Sequence, residues 1–211
     1  MREEIQRVFQ SPEDKIDVVY NGIRPEKKNH GEQFDRVKFR RRFANDTEKI
    51  VYYVGRMTYE KGISVLLNAA PEILAAMRRK VKFVIIGGGN TNLLKRQAFE
   101  LGIAEQCYFT GFMSDADLDK FQTIADCAVF PSLYEPFGIV ALESFAAQVP
   151  VVVSDTGGLP EVVSHNHSGI VTRANDPSSL TWGILEVLKN PDHCQYLVKN
   201  AYKSLSERFN W

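Results

Sequence analysis

Ala125-Asp126-Cys127-Ala128-Val129-Phe130-Pro131-Ser132-Leu133-Tyr134-Glu135-Pro136-Phe137-Gly138-Ile139-Val140-Ala141-Leu142-Glu143 is the stretch on which the fold turns. Its first six residues are a short, mostly apolar run stopped by Pro131, the pattern of a strand buried on both faces. From Gly138 to Ala147 there is no proline, and Ala, Leu and Glu recur, so this part reads as a helix. A strand that hands over to a helix through a turn leaves backbone N–H groups at the helix N-terminus. Those groups and the helix dipole favour an anion such as a phosphate.

Two carboxylates bracket that N-terminus, Glu135 on the turn and Glu143 about one and a half helical turns inside. Gly138 lacks a Cβ, which would let a ligand come close to the backbone. Amides with a carboxylate on either side suit a ligand with a phosphate centre and hydroxyls at both ends, and a nucleotide-sugar is such a molecule. A helix with a polar Glu at its start and a solvated Glu further along explains the same spacing, and both readings stay open at this point.

Outward from this stretch, strands and helices alternate. Strands are expected at Lys49 to Val54, Lys82 to Ile86, Gln106 to Thr110, Ala125 to Phe130, Val149 to Ser154 and Ser168 to Thr172. Between them lie helical patterns at Gly62 to Arg79, Asn92 to Leu101 and from Ser114 onward, and Pro177 to Asn190 and Pro191 to Arg208 close the chain. Strands separated by helices mean βαβ units. The expected fold is therefore α/β, a single Rossmann-like, doubly wound parallel sheet of about six strands, with ligands outside the carboxyl ends of the strands. Upstream, Met1 to Phe9 carries a weak helical stripe and Ile16 to Tyr20 reads as a short strand before the Asn21-Gly22 turn. Residues 1–15 read as the remnant of a preceding domain and 16–211 as the domain itself.

Composition narrows the function. The chain has 211 residues, enough for a substantial core, and a formal net charge of zero, which argues against a nucleic-acid binder. No apolar run approaches the ~18 residues of a spanning helix, and there is no signal-peptide pattern. Cys107, Cys127 and Cys194 have no CxxC spacing, and two fall in expected strands, so reduced thiols in a cytoplasmic protein are expected. The basic cluster Arg36, Lys38, Arg40, Arg41 and Arg42, interleaved with Phe34, Val37, Phe39 and Phe43, reads either as a solvated helix or as a membrane-surface or acceptor-facing one. His165-Asn166-His167 has no neighbouring ligands that would complete a metal set, so no metal site is expected.

The remaining loops supply the other candidates. Gly55-Arg56-Met57-Thr58-Tyr59-Glu60-Lys61-Gly62 is neither a dinucleotide fingerprint nor a phosphate-binding P-loop. It offers two cations, Arg56 and Lys61, which could neutralise charge on a leaving diphosphate without a metal. Gly87-Gly88-Gly89 allows close backbone approach. In Gly111-Phe112-Met113-Ser114, Phe112 and Met113 either face a nucleobase or belong to the core. Asp155-Thr156-Gly157-Gly158-Leu159-Pro160-Glu161 is a glycine-rich turn into a helix beginning near Pro160, close to the same site.

Three of these motifs in order resemble a known family. They are Gly55-Arg56 with Glu60-Lys61-Gly62, the pair Glu135 and Glu143 within Glu135-Pro136-Phe137-Gly138, and Gly157-Gly158-Leu159-Pro160-Glu161. Together they resemble the C-terminal, donor-binding half of GT-B fold retaining glycosyltransferases of family 4, a group that includes glycogen and sucrose synthase-like enzymes. Tyr20-Asn21-Gly22-Ile23 looks like that family's interdomain linker.

The resemblance implies roles by position. Arg56 and Lys61 would grip the donor diphosphate, Glu135 would hold donor-sugar hydroxyls, and Glu143 the ribose, with Arg56, Lys61 and Glu135 as the catalytic set and Gly55, Gly88, Pro136 and Phe137 among the substrate-binding residues. The amides of Gly138, Ile139 and Val140 would run along phosphate and sugar, and Phe112 and Met113 would line the base pocket. It implies no metal or other cofactor, with a UDP-sugar as donor, ADP- or GDP-sugar as variants, and glucose favoured. It also implies an absent N-terminal acceptor domain, through which membrane-surface contact is left open. Arg208-Phe209-Asn210-Trp211 stands where a family helix would cross back to that domain, so the chain is expected to bind donor but transfer little sugar alone. Gly89-Asn90 departs from the proline that many relatives carry after the glycines. Rival readings are a sugar-nucleotide epimerase on the same fold, a non-catalytic nucleotide sensor and a pure interaction module.

Overall fold

The computed structural model describes residues 2–24 and 34–210. The expected sheet is there: six strands, β1 Lys49–Val54, β2 Val81–Ile86, β3 Cys107–Gly111, β4 Cys127–Phe130, β5 Val151–Ser154 and β6 Ile170–Thr172, all parallel, in the order β3-β2-β1-β4-β5-β6. Helices α1 Arg2–Phe9 and α2 Arg36–Arg40 precede it. The crossovers are α3 Ile63–Ala76, α4 Asn92–Glu100, α5 Asp115–Gln122, α6 Ile139–Ala146 and α7 Leu159–Val162, and α8 Pro177–Lys189 and α9 Pro191–Arg208 end the chain.

The strand order reverses direction between β1 and β4. Right-handed crossovers running outward from that point put α3 and α4 on one face of the sheet and α5 and α6 on the other. Helix α8 packs on α3 and α9 on α6, which completes both layers. The strands are therefore buried on both sides, as their continuous apolar composition requires: Ile50, Val51, Tyr52, Phe83, Val84, Ile85, Ala128, Val129, Val152 and Val153 have no exposed surface. Each such large side chain contributes about 1.5–3 kcal/mol by leaving water. Helix α3 buries Ile63, Leu66, Leu67, Ala70, Ile73 and Leu74, and Met77, just past its end, is half-buried against the core. Ser114 caps α5 by accepting from the Asp117 amide.

One expectation changes. Ile16 to Tyr20 forms no strand. Val18 and Val19 are 49% and 77% exposed, so the run has no buried face, and an unpartnered β-branched segment is not stable as a strand. The chain joins the domain a little later, where Ile23 bridges to Asn210, the Ile23 amide donates to the Phe209 carbonyl at 2.9 Å, and the Tyr20 ring meets Phe209 edge-on.

The basic cluster fits the solvated-helix reading: Arg36, Lys38, Arg41 and Arg42 are exposed, and Phe39 and Phe43 anchor the segment against the core. Arg40 donates to Asp126 at 2.9 Å and to carbonyls of Glu48 and Ile124, Arg36 donates to the Thr123 carbonyl, and Arg41 pairs with Asp46. Arg42 lies over the rings of Phe39 and Phe43. The Arg36 and Arg40 contacts tie α2 to the segment that enters β4. Positions 25–33 of that polar stretch lie outside the described residues.

The three cysteines are free thiols. Burial raises the pKa of each, well above the usual range at Cys127 and up to about 12 at Cys107. A thiol reagent at pH 8 is therefore expected to react slowly with the native protein and fully only after unfolding; rapid stoichiometric labelling would contradict the burial. Folded Cys107 holds its proton more tightly than the unfolded thiol, whose ordinary value is 9.0. Its contribution to stability is therefore whole below pH 9 and declines as pH rises from there toward about 12.

Candidate functional site

The crevice at the switch point lies where the loop after β1 meets the loop after β4. One hydrogen-bonded pair spans it. Lys61 Nζ stands 2.7 Å from Glu135 Oε2, with the two side chains 17% and 12% exposed. Lys61 closes a 3₁₀ turn over Tyr59–Lys61 that Gly62 ends in the left-handed region, at φ 66°. A Cβ on Gly62 would lie 1.9 Å from the Pro131 carbonyl oxygen, so only glycine lets the β1 loop lie this close to the β4 loop. The Glu60 carbonyl, in turn, accepts from the amides of Leu133 and Tyr134 at 2.7 and 3.1 Å. The two loops are stitched together backbone to backbone, and the Lys61–Glu135 pair sits on that seam.

Glu135 is held from below as well. Ser132 Oγ lies 3.5 Å from its carboxylate, and Ser154 Oγ donates to the Ser132 carbonyl at 2.5 Å. The β5 loop supports the Glu135 backbone: the Gly158 amide donates to the Glu135 carbonyl at 2.9 Å, and a Cβ on Gly157 would come within 2.0 Å of that oxygen. Asp155 to Glu161 thus shapes the site by packing under the Glu135 turn.

Helix α6 begins where expected, after Gly138 in the left-handed region at φ 96°. The side where a Cβ would point is filled by Leu159, whose Cδ2 would be 2.6 Å away, so the missing Cβ also makes room for packing. Ile139 is exposed, Val140 and Phe137 half-buried, and Pro136 exposed. Glu143 is half-buried on α6 among Leu142, Ser144 and Phe145, which are buried. Ser144 and Gln122 hydrogen-bond the hydroxyl of buried Tyr52 at 3.0 Å each, fixing α5 and α6 to β1.

The structure does not bring Arg56 to Glu135. Its guanidinium is 76% exposed and 4.0 Å from Glu60. What is fixed is its backbone, because the Tyr53 hydroxyl donates to the Arg56 carbonyl at 2.9 Å. Burial pushes the Tyr53 pKa up, which keeps that donor protonated. In the glycine triplet, Cβ atoms on Gly87 and Gly89 would strike Gly55 and Met57 of the β1 loop, whereas one on Gly88 would meet nothing within 4 Å. Only Gly88 thus faces open space.

Phe112 is 83% exposed and Met113 half-buried against the core. With Phe39, Arg42 and Tyr108 they line a hollow of about 230 Å³ at the β3 end of the sheet. The two histidines have protein partners: His165 Nδ1 accepts from the Val171 amide, and His167 lies 3.1 Å from the Tyr196 hydroxyl.

Sequence reasoning did not single out Ser132, Ser154, Tyr53 and the Glu60 carbonyl, although all four position the loops. The available signal was a hydroxyl three residues before Glu135 and another at the end of an otherwise apolar strand.

Residues 34–204 match the family described as Glycosyl transferases group 1. Over its whole length the chain is 41% identical to an uncharacterized glycosyltransferase of Methanocaldococcus jannaschii and 31% identical to a glycogen synthase of Mycobacterium tuberculosis. It spans about half of those relatives, 54% and 49% of their lengths. In structure, 95% of it superposes on 55% of Anabaena HepE, solved in complex with UDP, with TM-score 0.85 at 23% identity. Taken with the seam at the switch point and the carboxylates on either side of the α6 N-terminus, these likenesses establish the chain as a member of the group 1 glycosyltransferase family, carrying the Rossmann-like fold of a GT-B half.

Proposed function

We propose that this chain is the donor-binding domain of a retaining, metal-independent glycosyltransferase that takes a hexosyl group, glucose first among them, from a UDP-sugar. The observation that carries the proposal is the Lys61–Glu135 pair at the switch point. A cation and a carboxylate, both mostly shielded, face one another where a diphosphate-sugar would bring a negative and a hydroxyl-bearing end. Ligand entry replaces one ion pair with two better matches: Lys61 turns to the diphosphate, joined by exposed Arg56, and Glu135 accepts from sugar hydroxyls. As the glycosidic bond breaks, charge grows on the leaving phosphate. Lys61, Arg56 and the amides at Gly138, Ile139 and Val140 offset it.

The distance along the sheet fits such a ligand. The hollow at Phe112 and Met113 lies at β3, and the diphosphate position at β1 and β4. Two to three inter-strand spacings separate them, about 10–14 Å, on the order of the span of a nucleoside diphosphate. Gly55 and exposed Gly88 lie along this path, and Glu143 takes the ribose. The acceptor comes to the open side of the crevice on a second body, so this chain on its own is expected to bind donor and transfer little sugar.

Calorimetric titration with UDP, ADP, GDP and UDP-glucose tests the reading. UDP should bind, and UDP-glucose more tightly. Glu135→Gln should remove that increment while UDP affinity holds, and Glu143→Ala should weaken UDP itself. Failure of all three nucleotides to bind would reject the donor assignment, and equal losses in both variants would reject the division of roles.

A further inference from the structure

The Tyr59–Lys61 turn has a second side. Lys61 reaches into the crevice, but Tyr59, two residues earlier, stands over a separate cavity of about 600 Å³ at the α3 and α4 N-termini, also bordered by the start of α8. Gly62 and Leu133 border this cavity and also lie on the seam, so one thin wall divides it from the crevice. Its volume lies in the range of small-molecule sites, about 300–1,000 Å³.

The lining has an unusual composition. A quarter of the chain is charged, yet none of the fifteen residues around this cavity is. Four carboxamides stand there instead: Asn68, Asn90, Gln97 and Asn175. Two are already ordered, since Gln97 Nε2 donates to Asn68 Oδ1 at 2.8 Å and to the Ser64 carbonyl at 3.1 Å. Asn175 holds a left-handed backbone, φ 55°. Tyr59 and Leu93 are 83% and 79% exposed, large apolar side chains open to solvent at the cavity's edge.

Each feature selects against ions. A charged ligand entering would lose water and find no counter-charge. Carboxamides both donate and accept, as hydroxyl groups do, so their hydrogen bonds match a polyol. An exposed phenol ring beside an exposed Leu offers a flat apolar face to the C–H side of a sugar ring. We propose that this cavity is a second ligand site, distinct from the donor crevice, which binds a neutral oligosaccharide with a ring stacked on Tyr59. The proposal does not depend on the donor reading.

The test is a titration of the chain with maltotriose, cellobiose and mannobiose, with AMP and inorganic phosphate as charged controls, followed by the amide resonances of Asn68 and Gln97. At least one neutral sugar should saturate and shift those resonances. Tyr59→Ala, a change at an exposed ring that leaves the core intact, should weaken it about tenfold, and Asn68→Ala should weaken it as well. UDP affinity, measured in parallel, should be unchanged in both variants, so failure of the donor reading would show separately. Saturation by none of the three sugars, sugar binding indifferent to Tyr59→Ala, or preferential binding of AMP or phosphate at these resonances would each overturn the proposal.

Discussion

Lys61→Ala is expected to weaken UDP binding by about 10- to 150-fold, the factor that corresponds to a charge-assisted hydrogen bond of about 1.5–3 kcal/mol. A second effect comes from the native pair. Glu135 lies on a turn that the β5 loop holds from below, so its carboxylate cannot swing freely out to water when the ammonium is removed. Among the described residues its remaining side-chain hydrogen-bond partner is Ser132, at 3.5 Å. A shielded carboxylate stripped of its partner costs about 1–3 kcal/mol of stability. Adding Glu135→Gln to the Lys61→Ala background should restore most of that stability, since an amide needs no counter-charge, without restoring UDP affinity. Calorimetry and chemical denaturation separate the two effects. UDP affinity within twofold of the native chain in Lys61→Ala would remove Lys61 from the binding role, and no stability rescue in the double variant would show that the pair is not the source of the loss.

The second large effect is expected from a single methyl group. Gly62→Ala would place a Cβ 1.9 Å from the Pro131 carbonyl oxygen, at a backbone conformation of φ 66° that alanine adopts only with strain. The carbonyl cannot yield alone, because the next residues, Leu133 and Tyr134, are tied to Glu60. The clash must therefore push the β1 and β4 loops apart. A loss of about 3 kcal/mol follows, roughly a 10 °C fall in Tm for a domain of this size. Opening that seam also separates Lys61 from Glu135, so UDP affinity should fall with stability. Gly88→Ala is the contrasting substitution. Its Cβ would meet nothing within 4 Å, and stability should stay within about 0.5 kcal/mol. If Gly62→Ala melted within a degree or two of the native chain, the loops would not be locked as described.

Much of this protein could be read from its residues in order. The period of the apolar positions placed all six strands and the long helices to within a few residues, because a strand buried on both faces and a helix buried on one leave different marks in sequence. The stretch from Ala125 to Glu143 alone indicated a strand, a turn and a helix N-terminus flanked by carboxylates. The loops of the site were therefore legible, since in a doubly wound sheet they all gather at one edge. Ile16 to Tyr20 misled because β-branched composition records a preference and not the presence of a partner strand. The Arg36 to Arg42 segment was legible as a solvated helix with anchoring aromatics, but charge in sequence does not show what lies opposite, and here carbonyls, Asp126 and Asp46 do.

Residue type and spacing were thus enough for the architecture, the edge of the sheet that carries the site, and the family. Only the tertiary structure decided that Lys61 meets Glu135 while Arg56 stays in solvent. It alone showed that Gly138 makes room for Leu159, and that four carboxamides from separate segments surround one uncharged cavity. The physical reason is range. Helix and strand periodicity arises from neighbours a few positions apart, but pairing, exclusion by a Cβ and the lining of a cavity depend on atoms brought together from across the chain, 74 positions apart in the case of Lys61 and Glu135.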